Sequence, residues 1–174
     1  DRKAIRKNGF PLSQELVDRE QIIAQGTILG CQYAIENGIS FNIAGGTHHA
    51  YSDHGEAFCL LNDQAIGARY LQANGLAQKI LIVDLDVHQG NGTAEIFQGD
   101  DSVFTFSMHG AGNYPFRKEV SDLDIAIPDK SGDDYYLAKL KETLPKLIKQ
   151  VNPDFIFYLS GVDILETDKL GRLS

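Results

Sequence analysis

The sequence predicts an α/β fold in which a mainly parallel sheet is covered by helices on both faces. Apolar runs of strand length alternate along the chain with longer segments of helical pattern. One run, K-I-L-I-V-D-L-D at residues 79–86, begins apolar enough to be buried on both faces. The 174 residues suffice for a real core and contain no repeat, low-complexity tract or linker. Alternation of this kind favours parallel pairing, because each crossover helix returns the chain to the same end of the sheet.

The elements follow one another in a regular order. Residues 15–37 are predicted to form a long helix that Gly38 ends, and residues 39–44 a short apolar strand. A second helix is predicted at residues 62–74, with Asn62 as its N-cap and Gly75 as its terminator. The remaining elements are a strand at 79–86, a helix at 93–98, strands at 102–107 and 123–127, a helix at 133–150 and a strand at 154–160.

Composition excludes several classes of protein. The net charge of -8 argues against nucleic acid as a direct ligand, because phosphate binding needs basic patches. No apolar run approaches the ~20 residues that span a bilayer, so we expect no membrane segment. The start lacks the apolar core of a signal peptide, and lacking Met it is not expected to be the natural start. Cys31 and Cys59 form no C-x-x-C pair, which predicts a reducing cytoplasm.

Polar residues follow four of the predicted strands at the point where each strand ends. They lie in G-G-T-H-H at 45–49, D-L-D-V-H at 84–88, S-M-H at 107–109 and S-G-V-D at 160–163. In open parallel sheets, ligands bind at the carboxyl ends of the strands. The four segments therefore predict one site at that edge, and their convergence carries more weight than any single motif.

The D-L-D-V-H segment has the residue types of a metal site. In an extended strand Asp84, Asp86 and His88 point to one face. A solvated strand end would look similar, but Asp84 follows a buried apolar run, and buried carboxylates must be paired or metal-bound. Such N and O ligands suit zinc, ferrous iron, manganese or cobalt. Asp163 is the best candidate for a further ligand, with a helix N-cap as its alternative role.

The two adjacent histidines, His48 and His49, follow a glycine pair that favours a tight turn. Alone they would read as loop histidines. Beside a metal site they are candidates for general base and general acid, since histidine serves either role near neutral pH. A base works best when a second group fixes its tautomer, and Asp84 and Asn91 are placed to do this for one histidine each.

The glycine-rich turn and two aromatic residues complete the candidate set. Gly90 and Gly92 allow a sharp turn from strand to helix, and H-Q-G-N-G is neither of the common nucleotide-binding motifs. Phe58 either belongs to the core or walls an apolar channel. Tyr114 lies on a predicted loop, where an aromatic residue is less easily explained as core.

These motifs together resemble the histone deacetylase superfamily in order and spacing. The matching segments are G-G-T-H-H-A, F-C-L-L-N-D, I-V-D-L-D-V-H-Q-G-N-G-T, F-S-M-H and G-V-D-I-L-E-T-D-K-L-G. Gln89 stands where many members have a second histidine, which is similar to the class IV branch and its bacterial relatives. The resemblance covers the chain from about Arg6 to Ser174. It implies the arginase/deacetylase fold, a three-layer α/β/α sandwich.

The resemblance also implies roles for individual residues. Asp86, His88 and Asp163 match the family's zinc ligands, although two carboxylates and one imidazole suit ferrous iron as well. His48 and His49 match its paired histidines, with His49 as general base and acid. Asp84 would back His48, and Asn91 would back His49. The remaining implied residues are the ligands of a structural potassium ion, Asp84, Asp86, His88, Ser107 and Met108, and the substrate-contacting residues Ala57, Phe58 and Tyr114.

Three departures from the family pattern stand out. Ala57 occupies a position that usually holds glycine, and its carbonyl is expected to contact the substrate amide. Asn91 replaces the aspartate of some classes, so we expect His49 to be less basic than in those classes. The family's oxyanion-stabilising tyrosine follows the third zinc ligand at a distance, and Tyr158, mid-strand, cannot take its role. We therefore expect residues 1–174 to be a single deacetylase domain, truncated at both ends relative to the full enzyme.

The function expected from the resemblance is zinc-dependent hydrolysis of an acylated amine, such as acetyl-lysine in a peptide, to release a carboxylate. An acetylpolyamine deacetylase acting on small acylated amines is the alternative within the enzyme class. A catalytically weak metalloprotein that binds acyl-lysine is the alternative outside it. The paired histidines argue against a ureohydrolase on the same fold. The sequence leaves the acyl group and the oligomeric state open.

Overall fold

A computed structural model describes residues 2–174, with side chains from Ile5 onward. By its internal contacts the chain divides into two compact units. The first runs to Gln78 and also includes Asn91–Ile96, and the second contains Lys79–Gly90 and Phe97–Ser174. That the two units form one deacetylase domain stays a prediction. Across residues 2–174, no helix combines the length and the apolar character needed to cross a membrane.

The first unit is helical. It contains α1 (Arg2–Asn8), α2 (Gln14–Asn37), α3 (Asp63–Ala73) and α4 (Asn91–Ile96). The Ser13 hydroxyl caps α2 by accepting the Leu16 N–H, and Gly38 ends it in the left-handed conformation with φ 86°. The Asn62 side chain caps α3 by accepting the Ala65 N–H, as predicted. The long helix and the Asn62 cap are therefore confirmed.

Helices α2 and α3 pack against each other through buried residues at helical spacing. On α2 these are Ile23, Ala24, Thr27 and Cys31, and on α3 they are Ala65, Ala68 and Leu71. Helix α1 was not expected from the sequence, and α4 begins two residues earlier than predicted. The earlier start places Asn91 in the first turn of α4 rather than in the preceding loop.

The predicted strand at residues 39–44 is wrong, because this segment pairs with no other strand among the described residues. It lies along α2 instead. The Ser40 hydroxyl donates to the Gly30 carbonyl at 2.6 Å, and the Asn42 amide donates to the Ile23 carbonyl at 3.0 Å. Its apolar side chains point away from the helix and are exposed: Ile39, Phe41 and Ile43. The alternation was real, but its polar side chains, not its apolar ones, face the neighbouring element.

The second unit is built on a four-stranded parallel sheet. Its strands are β1 (Ile80–Asp84), β2 (Val103–Gly110), β3 (Leu123–Ile127) and β4 (Phe155–Leu159). Their order is β3-β2-β1-β4, and all three pairings are parallel. The central strand β1 is buried along its whole length, which agrees with its continuous apolar run. The prediction of a mainly parallel sheet is therefore confirmed.

The core of this unit lies between the sheet and helix α5 (Asp133–Val151). It consists of buried apolar residues from the strands, from α5 and from the last residues of the chain: Leu81, Val83, Leu85, Val87, Phe106, Met108, Ile127, Tyr136, Leu147, Val151 and Leu173. Leu85 and Val87 follow β1 directly, so the core extends past the end of that strand. Apolar packing of Leu85 and Val87 in the core therefore holds the loop after β1 in place.

Candidate functional site

The chain turns sharply after β1, so the predicted column of Asp84, Asp86 and His88 on one strand face is wrong. The strand ends at Asp84. Its carboxylate accepts the Asp86 N–H at 3.1 Å, and the Asp86 carboxylate accepts the His88 N–H at 2.8 Å. Such bonds to the backbone two residues onward compete with strand pairing and curl the chain. The Asp86 and His88 side chains come together beyond the end of the strand, with His88 Nδ1 3.0 Å from Asp86 Oδ1.

The Asp86, His88 and Asp163 side chains converge. The His88 Nδ1 atom lies 3.0 Å from Asp86 Oδ1 and 3.0 Å from Asp163 Oδ2. One ligand atom from each of the three residues lies within 4.8 Å of the others. Burial lowers the pKa of His88, but hydrogen bonds to Asp163 and Asp86 outweigh it and raise that pKa to about 9. The paired carboxylates thus favour positive charge at this point.

Asp163 reaches the cluster from the loop after β4, on a short 3₁₀ turn at Val162–Ile164. Its Oδ1 atom accepts the Val87 N–H at 3.0 Å, which ties the two loops together. Gly161 makes the approach possible, because a β-carbon there would stand 2.6 Å from the Asp86 Cα atom. Asp163 does not act as a helix N-cap, the alternative role considered for it, because the turn has no side-chain cap.

The donor set fits a divalent metal ion. Two carboxylates and one imidazole, each half-buried, supply ligand atoms from two loops whose backbones are fixed by hydrogen bonds. Catalytic zinc sites typically use three protein ligands and leave a further position open. The same O and N ligands also suit ferrous iron.

The paired histidines lie on a loop that an aspartate holds in place. Asp63, at the start of α3, accepts the Gly46 N–H at 3.0 Å and the Thr47 N–H at 2.9 Å through Oδ1. Gly45 permits this contact, since a β-carbon would stand 2.6 Å from Asp63 Oδ2. Sequence reasoning did not identify Asp63 as a site residue. The available signal was an acidic residue in F-C-L-L-N-D with no evident surface role.

His49 makes the short hydrogen bond that the sequence predicted with Asn91. The distance from His49 Nδ1 to Asn91 Oδ1 is 2.6 Å, and both residues are buried. His48 and His49 have ring centroids 4.1 Å apart. The backing of His48 by Asp84 stays a prediction.

Gly92 contributes by close approach. A β-carbon at Gly92 would stand 2.2 Å from the Ala50 carbonyl oxygen, in the loop that carries both histidines. The neighbouring Thr93 N–H donates to the His48 carbonyl at 3.1 Å. The first turn of α4 therefore lies directly against this loop. Gly92, the second glycine of H-Q-G-N-G, is therefore needed for this close contact more than for the conformation of the turn.

The predicted potassium ligands are distributed over β1, β2 and the loop after β1. Asp84 lies opposite Ser107 in the register of the two strands, and Met108 follows in the core. The Ser107 hydroxyl lies 2.9 Å from His109 Nδ1. Burial lowers the pKa of His109 to about 4, so its ring is neutral near neutral pH. The potassium site stays a prediction.

Phe58 stands at the tip of a tight turn. Glu56 and Cys59 exchange both backbone hydrogen bonds at 2.9 Å, and the residues between them adopt positive φ, 44° at Ala57 and 68° at Phe58. The Phe58 side chain is 57% exposed, although its ring packs against Phe10 at a centroid distance of 5.0 Å. Such exposure indicates that Phe58 is not a core residue, and its role as a channel wall stays a prediction.

Tyr114 lies on the loop after β2, as predicted. Gln89, which is fully buried, holds this loop: its backbone N–H donates to the Tyr114 carbonyl at 3.3 Å. Its side-chain amide donates to the Glu119 carbonyl and to Asp124 Oδ1, both at 2.8 Å, and accepts the Glu119 N–H at 2.9 Å. Gln89, which directly follows His88, therefore anchors the loop that carries Tyr114. Sequence reasoning noted Gln89 as a variant but gave it no role.

Known proteins match the chain along nearly its whole length. The family model described as the histone deacetylase domain matches residues 2–174. An uncharacterized protein of Picosynechococcus is 53% identical over 172 residues, which are 99% of this chain and 57% of that protein. Histone deacetylase 2 of Arabidopsis thaliana is 33% identical over 151 residues, 85% of this chain and 39% of that protein.

A solved structure confirms the fold class. The crystal structure of a deacetylase homologue from Aquifex aeolicus superimposes with a TM-score of 0.86 at 26% identity, covering 98% of this chain and 50% of that one. The shared fold is a mainly parallel sheet with helices. The chain thus spans about half the length of the curated relatives and the solved chain that it matches.

Proposed function

Because this chain belongs to the histone deacetylase family, we propose that it hydrolyses the amide of an acylated amine, with acetyl-lysine and related acyl-lysines as the substrate class. The observation that carries the proposal is the convergence of Asp86, His88 and Asp163 from two loops. Three such ligands with no thiolate among them are typical of catalytic rather than structural zinc sites. The proposal concerns the whole protein, of which residues 1–174 supply the proposed metal ligands and the histidine pair.

In this proposal Asp86, His88 and Asp163 hold the metal ion, zinc or ferrous iron. A divalent cation held there supplies Lewis acidity, which polarises a carbonyl oxygen and makes water a better nucleophile. We assign potassium to the set Asp84, Asp86, His88, Ser107 and Met108, as the resemblance implies. The fixed backbone hydrogen bonds of the two loops keep the ligands preorganised.

His49 is the proposed general base and acid. It is buried, and its Nδ1 faces the Asn91 carbonyl oxygen at 2.6 Å, which favours the neutral ring with its proton on Nδ1 and its lone pair on Nε2. That lone pair accepts a proton from water, and the resulting imidazolium returns one to the leaving amine. His48 is the second histidine of the pair, and Asp84 is the residue proposed to orient it.

Phe58 and Tyr114 are the proposed walls of the channel for the acyl-lysine side chain, and the Ala57 carbonyl the proposed acceptor for the substrate amide N–H. Exposure of the Phe58 ring at a turn tip supports a contact surface rather than packing. We also propose a reducing, cytoplasmic compartment. Both cysteines are buried free thiols, which is the usual state in that compartment.

The test combines metal analysis with a substrate panel on the full-length protein. Acyl-lysine peptides and acylated polyamines are compared, with and without a chelator, for the wild type, His49→Ala and Asp163→Ala. Hydrolysis should disappear with chelation and with either substitution, and Asp163→Ala should also lose the metal. Glu142→Gln, an exposed carboxylate on α5, is the matched control and should change neither property.

The outcomes separate the alternatives. Preference for acylated polyamines over peptides would make the enzyme a polyamine deacetylase. Metal and acyl-lysine binding without turnover would make it a binding protein instead. If the full-length protein binds no divalent metal, the proposed function is wrong.

A further inference from the structure

We propose that Phe10 is a positioning residue for the reaction proposed above: its ring, which follows the end of α1, holds the Phe58 ring in one orientation at the acyl-lysine channel. The inference rests on the proposed function, because that function makes Phe58 a channel wall. The geometry itself lies wholly within the first unit. Sequence reasoning gave Phe10 no role and did not predict α1.

The turn that carries Phe58 has a strained backbone. Ala57 and Phe58 are consecutive residues with φ of 44° and 68°, a region that side chains with a β-carbon disfavour. Conformations of this kind persist only where the surrounding structure over-determines them, and they cluster at functional sites. The contacts that hold this turn are therefore part of how Phe58 is placed.

The end of α1 supplies the hydrogen bonds that hold the turn. The Ala57 N–H donates to the Lys7 carbonyl at 3.0 Å, and the Phe58 N–H donates to the Asn8 carbonyl at 2.5 Å. The Asn8 side-chain amide donates in turn to the Cys59 carbonyl at 2.8 Å. Asn8 is buried, so bulk water does not compete for these bonds. Together they fix the backbone of the turn to the end of α1.

The Phe58 ring needs a support of its own, because backbone bonds do not select a side-chain rotamer at an exposed position. Phe10 supplies this support. The two ring centroids are 5.0 Å apart and the ring planes are tilted by 58°, which lies within the range of favourable aromatic pairs. Phe58 remains more than half exposed in this pair, so Phe10 supports the ring without enclosing it.

Gly9 brings the chain close to the same ring. It ends α1 with φ 89°, and its N–H donates to the Ile5 carbonyl at 2.9 Å. A β-carbon at Gly9 would stand 2.7 Å from Phe58 Cε1. The Phe58 ring therefore lies against the Gly9 backbone as well as against the Phe10 ring.

A fixed aromatic wall has a defined effect on the proposed reaction. The aliphatic part of an acyl-lysine keeps its structure while the amide is hydrolysed, so a wall that contacts it binds the ground state and the transition state alike. A ring that is already ordered does not lose rotamer freedom when the substrate binds. Loss of the support should therefore raise KM and leave kcat little changed.

The direct test measures the χ1 rotamer of Phe58 from three-bond couplings in the full-length protein, with its signals assigned by comparison with Phe58→Leu. The wild type should show one rotamer, and Phe10→Ala should show averaging over several. Phe10→Tyr keeps the ring and should retain the single rotamer. Tyr33→Ala removes an exposed ring from α2 and is the matched control. A single Phe58 rotamer in Phe10→Ala would overturn the inference.

Steady-state kinetics test the consequence for the substrate. Phe10→Ala should raise KM for acyl-lysine peptides by about 3- to 10-fold, the range that one aromatic pair supplies, and Phe10→Tyr should restore it. An unchanged KM, or a loss confined to kcat, would overturn the positioning role. If the wild type hydrolyses no substrate, the proposed function fails, whereas the rotamer measurement still decides whether Phe10 holds Phe58.

Two glycines separate the ring contact from backbone strain. Gly9 and Gly38 each follow a helix, with φ of 89° and 86°, so alanine strains both backbones alike. An added β-carbon meets the Phe58 ring at Gly9, whereas at Gly38 none of the described residues lies within 4 Å of it. Gly9→Ala should therefore change the Phe58 rotamer and raise KM, and Gly38→Ala should lower stability alone. A Phe58 rotamer unchanged in both variants would contradict the close packing of this ring.

Discussion

A β-carbon at Gly161 would stand 2.6 Å from the Cα atom of Asp86, so these two residues touch with no room between them. The same added atom would lie 2.6 Å from Asp86 Oδ2 and 2.7 Å from Asp163 Oδ1. The convergence of Asp86, His88 and Asp163 therefore depends on a residue that has no side chain to contribute. Contacts below 3.0 Å of this kind can only be relieved by moving the ligands or their backbone.

Gly161→Ala should accordingly weaken metal binding by about 10- to 100-fold, the range typical for groups that orient metal ligands. Competition with a chromogenic chelator measures the affinity, and elemental analysis the stoichiometry. Gly132→Ala is the matched control, because its β-carbon would meet only the Ser174 carbonyl at an ordinary 3.6 Å. Unchanged affinity in Gly161→Ala would show that the two loops can separate without cost.

Gly92→Ala should destabilise the histidine loop. Its β-carbon would stand 2.2 Å from the Ala50 carbonyl oxygen, so the first turn of α4 must move away from that loop. Overpacking of this kind costs about 1–3 kcal/mol of the free energy of unfolding. Chemical denaturation measures the loss, with Gly132→Ala again as control. A stability within a few tenths of the wild-type value would contradict the close approach.

The sequence was sufficient to predict the centre of the sheet because burial dominates β1 and β2. The run I-L-I-V before Asp84 is apolar on both faces, as expected of a covered parallel strand. The same reasoning failed at residues 39–44, where Ser40 and Asn42 bond to α2 and leave Ile39, Phe41 and Ile43 exposed. An alternating pattern shows that the two faces of a segment differ in polarity. It does not show which of the two faces packs against the rest of the protein.

For the site, the sequence identified ligand types and missed the residues that hold them. Asp86, His88 and Asp163 carry unmistakable chemistry, so their meeting could be anticipated. Asp63 holds the histidine loop through hydrogen bonds to residues 17 and 16 positions away, and no spacing rule encodes such pairs.

Ala57→Gly should stabilise the protein. Ala57 has φ 44°, a left-handed conformation that costs a residue with a β-carbon about 1–2 kcal/mol. The greater entropy that glycine has in the unfolded chain offsets about 0.5–1 kcal/mol, so a net gain of roughly 0.5–1 kcal/mol is expected. Thermal or chemical unfolding measures it. Ala138→Gly, in the exposed face of α5, should do the reverse, since its backbone is helical.

Cys31 should make stability fall at high pH. Burial raises the pKa of its thiol to about 12 from an ordinary value near 9. The folded state thus favours the neutral thiol. Its contribution to stability is fully present below pH 9 and is lost as the pH rises toward 12. Denaturation between pH 8 and about 11 should show a steeper loss for the wild type than for Cys31→Ala. Identical slopes would contradict burial of the thiol.

Gln89→Glu should release the loop that carries Tyr114. The wild-type amide donates two hydrogen bonds, to the Glu119 carbonyl and to Asp124 Oδ1. A carboxylate in its place would turn an acceptor oxygen toward both of these acceptors, in a residue that is 0% exposed. Leaving buried polar groups unpaired and adding like charge costs about 2–4 kcal/mol. Chemical denaturation measures the loss, and amide exchange of Tyr114 and Glu119 localises it.

The localisation distinguishes a held loop from a general loss of stability. In a globally weakened but intact fold, Glu119 would keep the hydrogen bonds of both its N–H and its carbonyl, so its amide exchange would rise no faster than that of strand β1. Faster exchange confined to residues 113–119, with β1 still protected, is the expected result. Gln21→Glu, an exposed position on α2, serves as the matched control and should leave both regions unchanged. Uniform acceleration across β1 and the loop would show that Gln89 stabilises the sheet rather than the position of Tyr114.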